Sequence, residues 1–439
     1  MRNRVALAAL VLVASSGWLA VASASDATVV ATLATPVPPV PPVPPASLLS
    51  SLPTSSSASA RNPVRIGVVG PFTGASADFG LPMLHGIELA IDEINSYGGY
   101  LGRPLELVVK DDQANPDIGL AMSKELIDKD RVVAAIGFCN TGVAMNAIAA
   151  FQISKTPLIV PCATGTPITA RFPPAESYIF RTSPKDAIQA PFVIDDLVAR
   201  RWTRVAVLAD TTGYGEAGLK DVEQALAKRN LKAVYVGRFP IGVKDLTAEL
   251  KEARAAGANV VFSYTVGPEN AVIARGRQAL GWKVPQVGAW TLSFPFFIEG
   301  GKESAEGALT AQSFIAEPSN ERRASFLLAY ARKFDAKKIP VPMAAAQAYD
   351  ATYLLAQALM SISGGKLEGP AIKTALEQPK RTHYGVVTSY DKPFSATDKD
   401  AITQNMLVMG TVRGGAVTFA YPEDAKRNLF VQRKQEPKQ

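Results

Sequence analysis

Short apolar segments, many of them rich in valine and isoleucine, alternate with helix-like segments along the chain from Pro63 onward. These segments lack an alternation of apolar and polar residues, which is typical of parallel strands covered by helices on both faces. In the first half of the chain we predict strands at 64–69, 105–109, 132–136 and 158–160 and helices at 82–97, 116–129 and 142–153. This order predicts a doubly wound α/β unit.

The same alternation restarts near residue 205. The predicted strands lie at 205–208, 233–236, 260–262 and 286–287, with helices at 215–228, 244–256 and 268–280. Three further helices (320–334, 343–362 and 369–377) and three further strands (384–390, 406–411 and 417–419) follow. Because 439 residues exceed one core of ordinary size, the sequence predicts an α/β protein of two doubly wound parallel-sheet lobes.

Residues 1–24 have the pattern of a secretory signal peptide. Arg2 and Arg4 precede an apolar segment at 5–13, and Ala-Ser-Ala at 22–24 fits a cleavage site. The alternative is a membrane anchor, but Ser-Ser-Gly at 15–17 interrupts an apolar stretch that is short for a membrane span. We therefore expect export and cleavage of the signal peptide.

Residues 25–62 have the composition of a linker. Val-Pro-Pro repeats at 37–45 favour an extended polyproline II conformation, and the Ser- and Ala-rich stretch that follows favours flexible coil. Such a segment either spaces the folded body from a surface or is simply disordered, and the sequence leaves both interpretations open.

Composition excludes several classes of function. Lys and Arg outnumber Asp and Glu by only 46 to 39 and form no run of like charges, so we expect no nucleic-acid partner. His85 and His383 are the only two histidines, which leaves little material for a histidine metal site or a Ser-His-Asp triad. No Gly-x-Gly-x-x-Gly motif is present. We therefore predict a binding protein, not an enzyme, with no cofactor and no metal.

Two polar loops are the candidate ligand site. Thr141 stands at the start of a predicted helix after the third strand, and Thr164 follows the fourth strand. Ligands of parallel sheets bind at the carboxyl ends of the strands, and hydroxyls and free N–H groups at a helix start bind carboxylates. The alternative is that both threonines are ordinary helix caps.

Cys139 and Cys162 are the only two cysteines, and they follow the same two predicted strands. A disulfide between them is possible in an oxidising compartment if the strands are neighbours. The alternative is a pair of small buried side chains near the cleft.

Several motifs together resemble the leucine/isoleucine/valine-type periplasmic binding proteins of ABC importers. The resemblance runs from about 64 to 419, and the matching motifs are Gly70-Pro71-Phe72-Thr73-Gly74, Gly86-Ile87-Glu88-Leu89-Ala90, Pro161-Cys162-Ala163-Thr164, Tyr214-Gly215 and Ala348-Tyr349-Asp350-Ala351.

The resemblance implies the type I periplasmic binding fold, in which three crossovers form a hinge between two lobes. It places lobe 1 at 63–183 plus 315–395 and lobe 2 at 184–314 plus 396–430, with a tail at 431–439. It also implies a periplasmic monomer that traps a small-molecule carboxylate between its lobes and delivers it to ABC permease subunits. A ligand-sensing receptor of the same fold is the alternative.

The resemblance also implies the residues of the site. Thr141 and Thr164 would bind the ligand carboxylate, and backbone groups of Cys162 would help. The complete set of predicted ligand-binding residues is Phe79, Thr141, Cys162, Ala163, Thr164, Tyr214, Val266 and Trp290.

One departure from the family pattern concerns the loop after Gly288. Amino-acid-binding members often place an acidic residue there to meet the ligand ammonium, but this loop reads Ala289-Trp290-Thr291. A buried ammonium without a counter-charge is costly. The sequence therefore leaves open a hydrophobic amino acid and an aromatic or aliphatic carboxylate. If an ammonium site exists, Glu269 and Asp210 are the first acids to consider.

Overall fold

The computed structural model describes residues 62–427 and Lys434. The predicted signal peptide, nearly all of the predicted linker and most of the predicted tail lie outside the described residues. A search of the described part of the chain finds no helix with the length and apolar character needed to cross a membrane.

The first sheet has five strands, all parallel, in the order β2-β1-β3-β4-β5. Its strands are β1 (Val64–Gly70), β2 (Leu105–Asp111), β3 (Ala134–Gly137), β4 (Leu158–Val160) and β5 (Ile179–Arg181). The helices among these strands are α1 (Ala77–Ser96), α2 (Pro116–Lys124), which continues into a π-helical turn (Glu125–Lys129), α3 (Thr141–Ser154) and α4 (Pro167–Ala170). Strands β3, β4 and β5 are buried throughout, which explains their apolar sequences.

The second sheet has seven strands in the order β14-β13-β10-β9-β8-β6-β7. In chain order its elements are α5 (Asp186–Ala199), β6 (Val205–Asp210), α6 (Gly213–Ala227), β7 (Tyr235–Phe239), α7 (Thr247–Ala255), β8 (Val260–Tyr264), α8 (Glu269–Ala279), β9 (Gln286–Gly288), α9 (Pro295–Gly301) and β10 (Leu309–Gln312). Strands β13 (Val408–Arg413) and β14 (Ala416–Phe419) join this sheet antiparallel at one edge.

Three helices that lie between β10 and the last two strands of the second sheet pack with the first lobe. They are α10 (Glu321–Phe334), α11 (Pro342–Ser361) and α12 (Gly369–Glu377), and a small hairpin of β11 (His383–Tyr384) and β12 (Ser389–Tyr390) follows them. Helix α11 packs closely on α1. The approach is so close that a Cβ at Gly86 would lie only 2.2 Å from the carbonyl oxygen of Ala345. The last helix in the described part of the chain is α13 (Pro422–Arg427).

The predicted fold class is confirmed: the protein is a two-lobed α/β structure built on parallel sheets. The chain crosses between the sheets three times, after β5, after β10 and after β12. Two differences from the sequence analysis concern strands. The predicted strand at 384–390 is the β11–β12 hairpin, and strands β5 and β10 were not predicted at all.

A buried ion-pair network ties the first and third crossovers together. The Arg181 side chain is completely buried, and its Nε donates to Asp400 Oδ1 at 2.7 Å. Lys185 Nζ donates to the other oxygen, Oδ2, at 2.9 Å. Burial alone would raise the pKa of Asp400, but the two cations hold that pKa at about 2.

Asp400→Asn is therefore expected to lower the free energy of unfolding by about 3–5 kcal/mol, because it leaves the buried Arg181 guanidinium without its counter-charge. Since the folded-state pKa is depressed, the Asp400 contribution is complete above about pH 4 and fades as the pH falls toward 2. Urea denaturation checks this. Glu106→Gln, which breaks the half-exposed pair with Arg65, is the control and should leave the midpoint nearly unchanged. Equal midpoints for both variants would contradict the role of the network.

Candidate functional site

The loops after β3 and β4 lie side by side at the carboxyl edge of the first sheet. The Ala163 N–H donates to the Phe138 carbonyl at 2.9 Å. Cys139 and Cys162 form a disulfide in the structure, with their Cα atoms 4.5 Å apart. The two polar loops singled out in the sequence therefore form one connected surface.

Thr141 and Thr164 are both buried where these two loops meet, and neither caps a helix. Thr141 is the first residue of α3, whose N-cap position belongs to Asn140, and its hydroxyl accepts from the Gly165 N–H at 3.2 Å. The N-cap position of α4 belongs to Thr166. Thr164 is 1% exposed, and its hydroxyl has no hydrogen-bond partner among the described residues. Thr164 therefore has unused capacity to bind a ligand, and Thr141 can still donate its O–H.

Aromatic side chains from both lobes pack together near these loops. Phe79 in α1 packs against Phe294 of the second lobe, with ring centroids 5.0 Å apart. Trp290 lies edge-on to Phe294 at 4.7 Å, and Tyr214 lies against Tyr264 at 4.8 Å. Phe79 from the first lobe thus meets a wall of aromatic rings from the second lobe.

The two lobes also touch where helices α3 and α6 begin. The backbone at Gly142 in the first lobe approaches Gly213 in the second lobe so closely that a Cβ at Gly213 would lie 3.0 Å from the Gly142 Cα. Beside this contact, the Thr166 hydroxyl donates to Asp221 Oδ2 at 2.6 Å. The first contact joins α3 to α6 and the second joins the loop after β4 to α6, so the structure has its lobes closed on each other.

Asp186, the first residue of α5, is the carboxyl group that faces this junction. It is completely buried, and its N–H donates to the Thr164 carbonyl at 2.9 Å. Asp186 Oδ1 accepts from Gln189 Nε2 at 3.2 Å. Gln189 Oε1 in turn accepts from the backbone N–H of Trp290 at 3.1 Å. The second oxygen, Oδ2, has no hydrogen-bond partner within the part of the chain that the structure describes.

The electrostatics around Asp186 follow from its burial. Burial raises the pKa of Asp186 to about 7, while the nearby hydroxyls of Tyr264 and Thr164 and the charge of Arg181 oppose that shift. Burial and the Asp186 charge raise the pKa values of Tyr214 and Tyr264 well above their usual range. Both tyrosines therefore present neutral hydroxyls, and neither hydroxyl has a hydrogen-bond partner in the described residues.

Asp210 and Glu269, the first acids to consider from the sequence, accept hydrogen bonds from backbone N–H groups and from the hydroxyls of Thr212 and Thr265. Asp210 Oδ2 accepts from the Val266 N–H at 2.8 Å, and its Oδ1 accepts from Thr212 N–H at 2.9 Å. Glu269 Oε1 accepts from the Gly242 N–H at 2.6 Å. These carboxylates shape loops of the second lobe, including the one that carries the half-buried Val266.

Asp186 and Gln189 were not among the predicted site residues, because neither β5 nor α5 was predicted from the sequence. Strand β5 has only three residues, and Pro191 lies inside α5 and obscures its helical pattern. A usable signal was present, since Ala190, Val193, Ile194 and Leu197 have the i, i+3, i+4, i+7 spacing of a buried helix face.

The two histidines lie in packing roles. His85 stacks on Phe334 at 4.0 Å and contacts the Tyr330 hydroxyl, while His383 stacks between Tyr353 and Tyr390. No group of three or more His, Cys, Asp or Glu side chains in the described residues is arranged to hold a metal ion.

Comparison with known proteins gives a consistent picture. The family model described as periplasmic binding protein matches residues 63–416. The Leu/Ile/Val-binding protein homolog 3 of Brucella melitensis is 28% identical over 329 residues, which cover 74% of this chain and 86% of that protein.

Two solved structures share the fold. The substrate binding protein LivJ of Streptococcus pneumoniae in complex with isoleucine has a TM-score of 0.69 and 23% identity, and the match covers 81% of this chain and 98% of LivJ. A solute binding protein of Rhodopseudomonas palustris in complex with 4-hydroxybenzoate has a TM-score of 0.69 and 21% identity, with coverage of 81% and 95%.

Gly213→Ala is expected to oppose contact between the lobes, because its Cβ would crowd the Gly142 backbone. The ligand for this test is the one that most raises the melting temperature of the protein. The affinity for it should fall roughly tenfold, because overpacking of a close contact costs about 1–3 kcal/mol. Gly142→Ala is the matched control, since its Cβ would meet only the Gly213 nitrogen at 3.8 Å. Isothermal titration calorimetry measures both variants, and equal affinities would show that the contact does not govern closure.

Proposed function

This chain belongs to the periplasmic binding protein family, and on that premise we propose that it is the solute-binding component of an ABC importer. Its ligand is a small carboxylate, which is trapped when the two lobes close. The observation that carries the proposal is the junction itself, where buried polar groups of both lobes converge without protein partners: Thr164 Oγ1, Asp186 Oδ2, Tyr214 OH, Tyr264 OH and Trp290 Nε1. Buried polar groups are normally hydrogen-bonded, so such a set is suited to bind a polar ligand.

The carboxylate of the ligand binds at the first lobe. The first N–H groups of α3 have no acceptor within the helix, and the positive end of the helix dipole favours an anion there. The Thr141 and Thr164 hydroxyls add two donors beside this helix start. The Cys139–Cys162 disulfide holds the two loops in register, and so the donors are arranged before the ligand arrives.

The ligand classes of the similar proteins support a carboxylate. Isoleucine and 4-hydroxybenzoate, bound by the S. pneumoniae and R. palustris proteins, differ in size and charge but share a carboxylate and an apolar body. In this chain the rings of Phe79, Trp290 and Phe294 supply a matching apolar wall. We propose a hydrophobic amino acid or an aromatic or aliphatic acid as the ligand.

The remaining parts of the proposal concern the protein's place in the cell. The signal-peptide pattern at 1–24 supports export to the periplasm with cleavage, and the family supports a monomer that delivers its ligand to permease subunits. No catalytic step is assigned to the site. A sensing receptor of the same fold is the second candidate, because lobe closure can equally signal to a regulatory partner.

A thermal-shift screen of amino acids, aromatic acids and short-chain acids tests the proposal. A ligand that binds only the folded state raises the melting temperature in proportion to the logarithm of its concentration over Kd. Small-angle scattering with the best ligand should show a compact, closed form. If no carboxylate in the screen raises the melting temperature, the proposed function is wrong.

Thr164→Val should weaken binding of that ligand roughly ten- to hundredfold, because a hydrogen bond to a charged group contributes about 1.5–3 kcal/mol. Thr141→Val should act in the same direction but also lower stability, since it removes the acceptor for the Gly165 N–H. Thr352→Val, another buried threonine whose hydroxyl donates within α11, is the matched control. Unchanged affinity in both site variants would overturn the assigned roles.

A further inference from the structure

We propose that Lys434 is a positioning residue for lobe closure, because it fastens the chain that leaves the second lobe to the third crossover on the first lobe. It adds a fourth link across the hinge. Unlike the three covalent crossovers, this link is held by an ion pair and hydrogen bonds, so it can break when the lobes open. The inference rests on the proposed clamp and adds a control on its opening.

The ammonium group of Lys434 meets three acceptors on the third crossover. Its Nζ donates to the carbonyl oxygens of Asp400 at 2.6 Å and Pro393 at 2.8 Å, and it lies 2.8 Å from Asp398 Oδ2. An ammonium group has three N–H donors, so these acceptors use all of them. The side chain of Lys434 is 14% exposed, whereas most lysines lie in solvent. Lys434 is therefore held at one defined place on the crossover.

The segment that holds Lys434 is itself fixed to the first lobe. At the end of β5 the Arg181 N–H donates to the Lys399 carbonyl at 2.9 Å, and the Arg181 carbonyl accepts from the Ala401 N–H at 2.9 Å. Lys399 Nζ also lies 2.9 Å from Glu377 Oε1 of α12 in a pair that is almost completely buried. Residues 393–400 therefore move with the first lobe.

Helix α13, which precedes Lys434 in the chain, is fixed to the second lobe. Asp424 Oδ2 in α13 accepts from the backbone N–H of Met409 in β13 at 2.9 Å. The hydroxyl of Tyr421, directly before the helix, donates to Asp196 of α5. The chain thus leaves the second lobe at α13 and is fastened to the first lobe at Lys434.

The chain between these two points is short. Only six residues separate Arg427 from Lys434, and seven peptide steps span at most about 25 Å. A rotation of the lobes about the hinge changes the distance that this chain has to span. Because Lys434 is bound while the lobes are closed, its contacts oppose any opening that draws the two ends apart.

The competing explanation is a purely structural role, in which Lys434 opposes unfolding but not lobe opening. Hydrogen exchange separates the two explanations. The first N–H groups of α3, at 141–143, have no acceptor within the helix and lie where the lobes meet, so their exchange reports opening. The amides of β3 are bonded within the buried sheet, as in the bond from the Ala135 N–H to the Pro157 carbonyl, so their exchange reports unfolding.

The experiment uses the mature protein without ligand. Lys434→Met keeps the length of the side chain and removes its charge. The amides at 141–143 should then exchange roughly three- to tenfold faster, while the β3 amides stay protected for much longer than these amides. Asp398→Asn, which removes the charge of the partner, should act in the same direction. The double variant should show less than the product of the two single effects, because the two residues form one contact.

Lys110→Met is the matched control. Lys110 also pairs with two carboxylates, Glu125 and Asp130, and its side chain is 22% exposed, but all three residues belong to the first lobe. This variant should leave the exchange at 141–143 at the wild-type rate. Hydrogen exchange measured by mass spectrometry follows every variant, and a thermal melt gives the stability of each.

A lower melting temperature for Lys434→Met with wild-type exchange at 141–143 would show that Lys434 is only structural, and the positioning role would be wrong. If Lys434→Met makes β3 exchange as fast as the start of α3, the variant is unfolding, and Asp398→Asn decides by the same criterion. The measurement needs no ligand. A carboxylate screen without a hit therefore refutes the proposed function and leaves this result readable.

Discussion

The buried guanidinium of Arg181 is the interaction on which both the hinge and the site depend. It stands at the end of β5 and holds Asp400 of the third crossover, while its remaining N–H groups donate to the carbonyls of Thr164 and Gly165 and to the Thr169 hydroxyl. These bonds direct the Thr164 and Gly165 carbonyls toward the hinge. A planar donor with several fixed N–H groups can make all these bonds at once, which a lysine could not.

This arrangement also affects the electrostatics of the candidate site. Because Arg181 is neutralised by Asp400, it contributes little net charge to the junction a few residues away. Asp186 therefore experiences burial more than attraction, which is why its pKa rises while that of Asp400 falls. The two buried carboxyls thus differ in their surroundings, since Asp400 is paired with cations at the hinge and Asp186 lies without a cation at the lobe junction.

The sequence predicted the architecture and the two neighbouring polar loops of the candidate site for a physical reason. Strands β3 and β4 are apolar runs flanked by polar loops, so the positions of Thr141 and Thr164 at the sheet edge follow from local pattern. The position of Asp186 does not follow from the local pattern, because β5 has only three residues and is too short to be recognised in the sequence. Strand β10 was missed for a different reason, since its buried Thr310 and Gln312 resemble surface residues until their hydrogen bonds are known. Contacts such as Gly142 with Gly213 depend on lobe orientation, which no local pattern encodes.

Closure and recognition are linked through the polar groups that closure buries. Each buried group left without a partner costs about 1–3 kcal/mol, so closing the lobes withdraws Thr164, Asp186 and the two tyrosines from water at a substantial cost. The Phe79–Phe294 contact and the Thr166–Asp221 hydrogen bond favour the closed form and offset part of that cost. A ligand that forms hydrogen bonds with all of these groups offsets the remaining free-energy cost. A ligand that bonds to only some of them favours the closed form less. Selectivity then follows from the same balance that governs closure, because a ligand shifts the population only by its differential affinity for the closed form.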